Sequence, residues 1–257
     1  MAMSSLQLAD LQKLNVSNKV REDLERFVSE IIDLYKQDLV SISVFGSSVS
    51  GDYVEDQSDL NLLVIYSDLD IDDLQKISEL AQRWFKKRKF LPRFLSKRNL
   101  IDSSKYFQID WMEIRDTSVL LYGENMLSQL PSSLPDMRWQ LSHEIKRMRM
   151  RIKQQFWKAS GDEKVMNKIL IQRVSSIAHL MRVFLFLKTR KSPPIATHEI
   201  INMAAQHLKF DKGFVEIVLS NKNKHKSLKR EELVSGFQKL LDLIRVVDQA
   251  TDNLTVS

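Results

Sequence analysis

The chain has 257 residues, enough for one large domain or two ordinary ones. With 43% hydrophobic and 28% charged residues it is globular rather than disordered. Zero cysteines exclude disulfides and thiolate metal sites, and a formal net charge of +6 leaves nucleic acid open as a partner. No apolar run approaches the roughly 18–20 residues of a membrane span, and MAMSSLQLADLQKL lacks the pattern of a secretory signal, so a cytoplasmic chain without membrane contact is expected.

The spacing of Val20, Leu24, Phe27, Ile31, Leu34 and Tyr35 predicts a helix over 17–38, with Ser17 or Asn18 as its cap. Strands follow at 40–45 and 60–66. Asp70 caps a helix from Ile71 to about Lys89, whose apolar face includes Leu74, Ile77, Trp84 and Phe85. Phe90–Leu95 reads as a strand, and Pro92 places it at an edge or bulge. Ser96 starts a short helix to about Ser103. Tyr106–Ile114 reads as another strand, and Val119–Tyr122, closed by Gly123, as a shorter one.

Leu130-Pro-Ser-Ser-Leu-Pro135 is the clearest linker. Beyond it every pattern is helical, over 136–159, 163–190, 197–207, 212–220 and 230–252. Asp162, Thr197 and Asp211 are the candidate caps, and Pro193-Pro194 and the basic stretch 221–229 are the breaks. Val183 to Leu187 is apolar all round, as the central helix of a bundle requires. The layout is α+β, with a sheet-bearing domain over 1–130 and an all-helical bundle domain over 131–257.

The chemistry-bearing stretch is 40–65. An apolar strand ends in Gly46-Ser47-Ser48, and eleven residues separate Ser47 from Asp59. Gly46 lets the backbone approach a ligand, and the N–H groups and hydroxyls of Ser47 and Ser48 can cradle phosphate oxygens. Alternation along the second strand puts Asp59 and Asn61 on one side, where two oxygen-bearing groups can hold a hard cation such as Mg²⁺. If the strand at Tyr106–Ile114 neighbours the second, Asp110 completes the cluster. Read singly, Gly-Ser is also what any turn needs, and Asp-x-Asn is a common cap. Asp52, Glu55 and Asp56 are further acids of the intervening loop.

These residues resemble the DNA polymerase beta-like nucleotidyltransferase superfamily, marked by Gly-Ser, then Asp-x-Asp about ten residues on, then a later strand carboxylate. More narrowly the chain is similar to a group of uncharacterised bacterial nucleotidyltransferase-domain proteins. The matching segments are Ser58 to Ile65 (SDLNLLVI), Phe94-Leu95-Ser96, Phe107 to Ile114 (FQIDWMEI) and Leu121 to Glu124 (LYGE). The resemblance implies a nucleotidyltransferase-like mixed sheet flanked by helices. It also implies Mg²⁺-dependent transfer of a nucleoside monophosphate from a nucleoside triphosphate to a small-molecule or protein acceptor, with the helical domain shaping the acceptor pocket. Gly46, Ser47, Ser48 and Ser58 would then serve the nucleotide, and Asp59, Asn61 and Asp110 the metal and the catalysis. Two departures stand out. Asn61 replaces the second carboxylate of Asp-x-Asp, and Gln108-Ile109-Asp110 replaces Pro-Ile-Glu. The alternative is a catalytically degenerate nucleotide-binding or regulatory protein that acts through its helical domain. A third possibility comes from Arg173 and His179, whose spacing matches the loose Arg–His signature of helical toxin ribonucleases. Trp84, Trp111, Trp139 and Trp157 are candidates for interdomain packing or base stacking.

Overall fold

The computed structural model describes residues 8–55, 58–68, 70–224 and 228–255. The chain divides into two compact units, Met1–Ser132 and Ser133–Ser257.

The first unit opens with a short helix α1 (Leu8–Leu11) and the amphipathic α2 (Asn18–Tyr35), whose first turn donates from Val20 N to Ser17 Oγ. Strand β1 (Leu39–Phe45) leads into a four-residue helix α3 (Ser47–Ser50), and β2 (Leu60–Tyr66) into α4 (Ile71–Arg88). Asp70 and Asp73 form a reciprocal capping box at the start of α4, as the sequence predicts for Asp70. Strand β3 (Phe90–Ser96) precedes α5 (Lys97–Ser104), which Ser96 caps by accepting from Asn99 N. Then come α6 (Gln108–Asp116) and β4 (Ser118–Gly123).

The sheet order is β3-β2-β1-β4. β1 pairs antiparallel with β2 and β4, and β2 pairs parallel with β3, the crossover running through α4. The sheet is therefore mixed, as expected, and β3 with Pro92 lies at its edge. One face, with Leu60, Leu62, Val64 and Tyr66, packs on α2 and α4 through Leu24, Phe27, Ile31, Ile77 and Trp84. On the other face Phe45, Leu63 and Ile65 meet Leu100 of α5 and Ile114 of α6.

The expected strand over Tyr106–Ile114 is not formed. Those residues fall largely in α6, locked by the Gln108 amide donating to Ser104 O (2.6 Å) and by the Thr117 hydroxyl donating to Glu113 O (2.7 Å). Asp110 therefore sits in the first turn of a helix, and the strand beside β2 is β3.

The second unit contains α7 (Leu134–Lys158), α8 (Glu163–Thr189), α9 (Thr197–His207), α10 (Lys212–Lys224) and α11 (Arg230–Asp252). Asp162 caps α8 as predicted, and Asp211 accepts from Phe214 N. The cap of α9 is Ala196, with Thr197 already inside the helix, so that expectation is corrected. Among the described residues α8 alone has the length and hydropathy of a membrane span, but α7, α9, α10 and α11 all pack on it. Val183, Phe184, Leu185 and Leu187 are buried, the central-helix role their composition predicts. Arg182, fully buried on the same helix, donates from Nε to Pro194 O (3.0 Å) and so ties down the Pro-Pro segment. Part of the predicted break at 221–229 lies outside the described residues.

Candidate nucleotide site

The end of β1 and the start of β2 meet at one rung, Phe45 opposite Asn61. The chain leaves β1 through Gly46, with φ 84° and ψ −141°, a conformation that side-chain-bearing residues rarely adopt. Its N–H donates to both the carbonyl (3.1 Å) and the hydroxyl (3.3 Å) of Thr117, at the end of α6. A Cβ placed on Gly46 would lie 3.3 Å from the Asn61 side-chain nitrogen. Gly46 and Asn61, separated by fifteen positions of chain, are thus in side-chain contact range because the antiparallel register brings them together.

Ser47 is half-buried at the first position of α3. Ser48 is turned inward, 1% exposed, and its hydroxyl has no hydrogen-bond partner among the described residues. Its carbonyl accepts from Asn15 N (2.7 Å), which ties the loop to the segment before α2. What Ser48 can offer a ligand from this position is its backbone. Ser58 closes the following loop: its N–H donates to Val54 O (2.8 Å) and its hydroxyl accepts from Val54 N (3.1 Å). Asp59 is exposed, one residue before β2. Of the loop acids, Asp52 accepts from the Ser50 hydroxyl (3.1 Å) and Glu55 lies 3.9 Å from Arg88, while Asp56 lies outside the described residues. A cleft of about 420 Å³ nearby has Gln12, Asn15, Arg21, Tyr53 and Glu55 in its wall, and none of the predicted site residues.

Asp110 is exposed on α6. Seven residues, about 10 Å of helical rise, separate it from Thr117, the residue that holds Gly46. Opposite β1, the other neighbour of β2 is β3, which reads Phe-Leu-Pro-Arg-Phe-Leu-Ser and carries no acid. The parallel register sets Leu91 beside Asn61 and Arg93 beside Leu63, so Arg93 shares the face of Asn61. Its guanidinium lies over the Phe45 ring, 5.2 Å from the centroid. Nothing in the sequence singled Arg93 out. Among the described residues, no three or more His, Cys, Asp or Glu side chains gather to hold a metal ion.

The other candidates spread apart. Arg173 and His179 share α8, but six residues put them about 120° apart around the axis and about 9 Å along it. Arg173 is half-buried against Gln155 Oε1 (2.9 Å), and His179 is exposed. Trp84 is a core residue stacked on Phe90 (5.5 Å between centroids) with Nε1 on Glu30, and Trp111 is half-buried. Trp139, stacked on His143, and Trp157 are 66% and 75% exposed.

No protein-family model matches the sequence. No curated protein matches it either. Solved structures do match. The spectinomycin adenyltransferase AAD(9) from Enterococcus faecialis, crystallised with ATP and spectinomycin, is similar at a TM-score of 0.52 and 14% identity, over 87% of this chain and 99% of that one. A nucleotidyltransferase-like protein from Exiguobacterium sibiricum aligns over 86% of this chain and 74% of that one, at a TM-score of 0.31 and 12% identity. The fold is like that of the adenyltransferase: a mixed four-stranded sheet flanked by helices, then a helical region.

Proposed function

We propose that the protein binds a nucleoside triphosphate at the Gly46–Asn61 contact. The phosphates lie against the backbone at Ser47 and Ser48, with the Asn61 amide alongside and Ser58 and Asp59 at the rim. The observation that carries this reading is the turn itself. A glycine in a conformation closed to other residues, pinned by Thr117 and backed by Asn61, keeps a side-chain-free surface where a phosphate can approach backbone N–H groups. The fold agrees with it, since the adenyltransferase of like fold was crystallised with ATP.

The residues do not fit the pair of Mg²⁺ ions that the superfamily resemblance implies. Asp59 supplies one carboxylate, Asn61 a neutral amide, Asp110 belongs to a helix, and the neighbouring strand brings a guanidinium. Nucleotide binding without two-metal catalysis, the regulatory alternative, is therefore the reading the geometry supports best. Transfer of the nucleoside monophosphate to a small-molecule or protein acceptor is the second reading. It is favoured by the exposure of Asp59, which leaves one carboxylate open at the start of β2.

Equilibrium titration with ATP, GTP, CTP and UTP tests the proposal. Saturable binding of at least one nucleotide is expected. Absence of binding by all four at millimolar concentration would sink it. Release of pyrophosphate in the presence of Mg²⁺ and a candidate acceptor would replace the first reading with the second.

A further inference from the structure

A site built for two cations needs clustered negative charge, and this one has been neutralised. Asp59 contributes −1, Asn61 zero and Arg93 +1, so the three sum to zero before any ligand arrives. Arg93 occupies the edge strand next to β2, on the Asn61 face, two positions along from the Leu91–Asn61 rung. It is exposed, and among the described residues its guanidinium makes no ion pair. It lies instead over the buried Phe45 ring, one residue before Gly46, with Cζ 5.2 Å from the centroid. A cation–π contact of this kind holds a guanidinium without using up its N–H donors. Those donors form the fork that binds phosphate oxygens in pairs. Leu91, its neighbour across the Asn61 rung, is 39% exposed.

Resting on the nucleotide reading above, we infer that Arg93 takes the place of the metal: it binds the polyphosphate of the nucleotide directly, and binding needs no divalent cation. A third carboxylate on this strand would repel a bare triphosphate and gather Mg²⁺. A guanidinium there does the reverse, repelling a second cation and attracting the anion.

The test uses the full chain, with ATP and with inorganic tripolyphosphate, each in excess EDTA and in excess Mg²⁺. Affinity in EDTA within about threefold of that in Mg²⁺ is expected for both ligands. Arg93→Ala should weaken binding in EDTA at least about tenfold, and Arg93→Lys should recover only part, because an ammonium lacks the planar fork. Arg93 is exposed, so an unchanged thermal midpoint confirms that the variants are folded. Binding of ATP only in Mg²⁺, or an Arg93→Ala variant as tight as the parent in EDTA, overturns the inference and leaves the nucleotide site standing. Absence of binding under either condition removes the nucleotide site and the inference with it.

Discussion

Asn61 carries the functional question in a single side chain. Its amide nitrogen lies 3.3 Å from where a Cβ on Gly46 would be, and it stands where the superfamily resemblance has a carboxylate. With Asp59 two residues earlier and Arg93 on the next strand, restoring an acid takes the local charge from zero to −1. Asn61→Asp is nearly isosteric and half-buried at the open end of its strand, so the fold tolerates it. The expected result is a reversal of preference. Nucleotide binding in EDTA should weaken by about tenfold, the size of one added repulsion of 1–2 kcal/mol, and Mg²⁺ should then restore it. Titration of ATP against the variant with and without Mg²⁺ reads both effects. An Asn61→Asp protein indistinguishable from the parent under both conditions would show that residue 61 does not face the phosphates.

At the scale of elements, the strands and helices of the first unit follow from period and caps. Leu60 to Tyr66 is a continuous apolar run, buried on both faces apart from Asn61, and Asp70 stops and starts the chain where its capping box lies. The segment Tyr106–Ile114 shows why such reading has a limit. Phe107, Ile109 and Trp111 alternate like a strand, while Ile109 and Met112, both buried, recur at helical spacing. Nine residues are too few for either period to exclude the other. The deciding interactions, Gln108 to Ser104 and Thr117 to Glu113, are backbone-directed bonds with no signature in hydrophobic pattern. Gly46 and Asn61 stood out as candidates from composition and spacing. Arg93 did not, because its approach to Phe45 comes from the register of a parallel pair, which only the α4 crossover sets. Gly123 was legible as a strand terminus but not as a contact. Its φ is 79°, and a Cβ there would fall 1.9 Å from Val40 O, on the backbone of the neighbouring strand. Gly123→Ala should therefore open the β1–β4 edge, costing about 3 kcal/mol or more in denaturant titration. A loss below 1 kcal/mol would mean the β1–β4 pairing is not as tight as this register makes it.

Across the whole molecule, each unit joins two of its long helices with a carboxylate held by two cations, and the two clasps respond to opposite ends of the pH scale. In the first unit Asp23 of α2 accepts from Lys87 Nζ (2.8 Å) and Arg88 Nε (2.5 Å) at the end of α4. In the second, Asp248 of α11 meets Lys146 (2.7 Å) and Arg149 (3.4 Å) of α7. Burial pushes the Asp23 carboxyl up, but the hydrogen bonds from Lys87 and Arg88 outweigh it and hold the group below the usual carboxylate range. A depressed folded-state value means stability that is present above the unfolded value, about 3.9, and is lost as pH falls through the folded one. Lys146 has the contrary sign: the Asp248 hydrogen bond raises it, so its contribution is full below about 10.4 and fades as pH rises through the elevated value. Its side chain is 44% exposed, so solvent screening keeps that alkaline effect small. The Asp23 side chain is 7% exposed and that of Arg88 14%, so the acid effect is the larger. Asp23→Asn leaves the mostly buried Arg88 guanidinium with the more distant Glu55, 3.9 Å away, and should cost about 2–3 kcal/mol at pH 7. Because protonation does to the parent what the substitution does to the variant, that difference should shrink steadily below about pH 4. Denaturant melts of both proteins from pH 7 to pH 3 measure it, and a stability gap that stays constant over that range would show that the clasp does not couple α2 to α4.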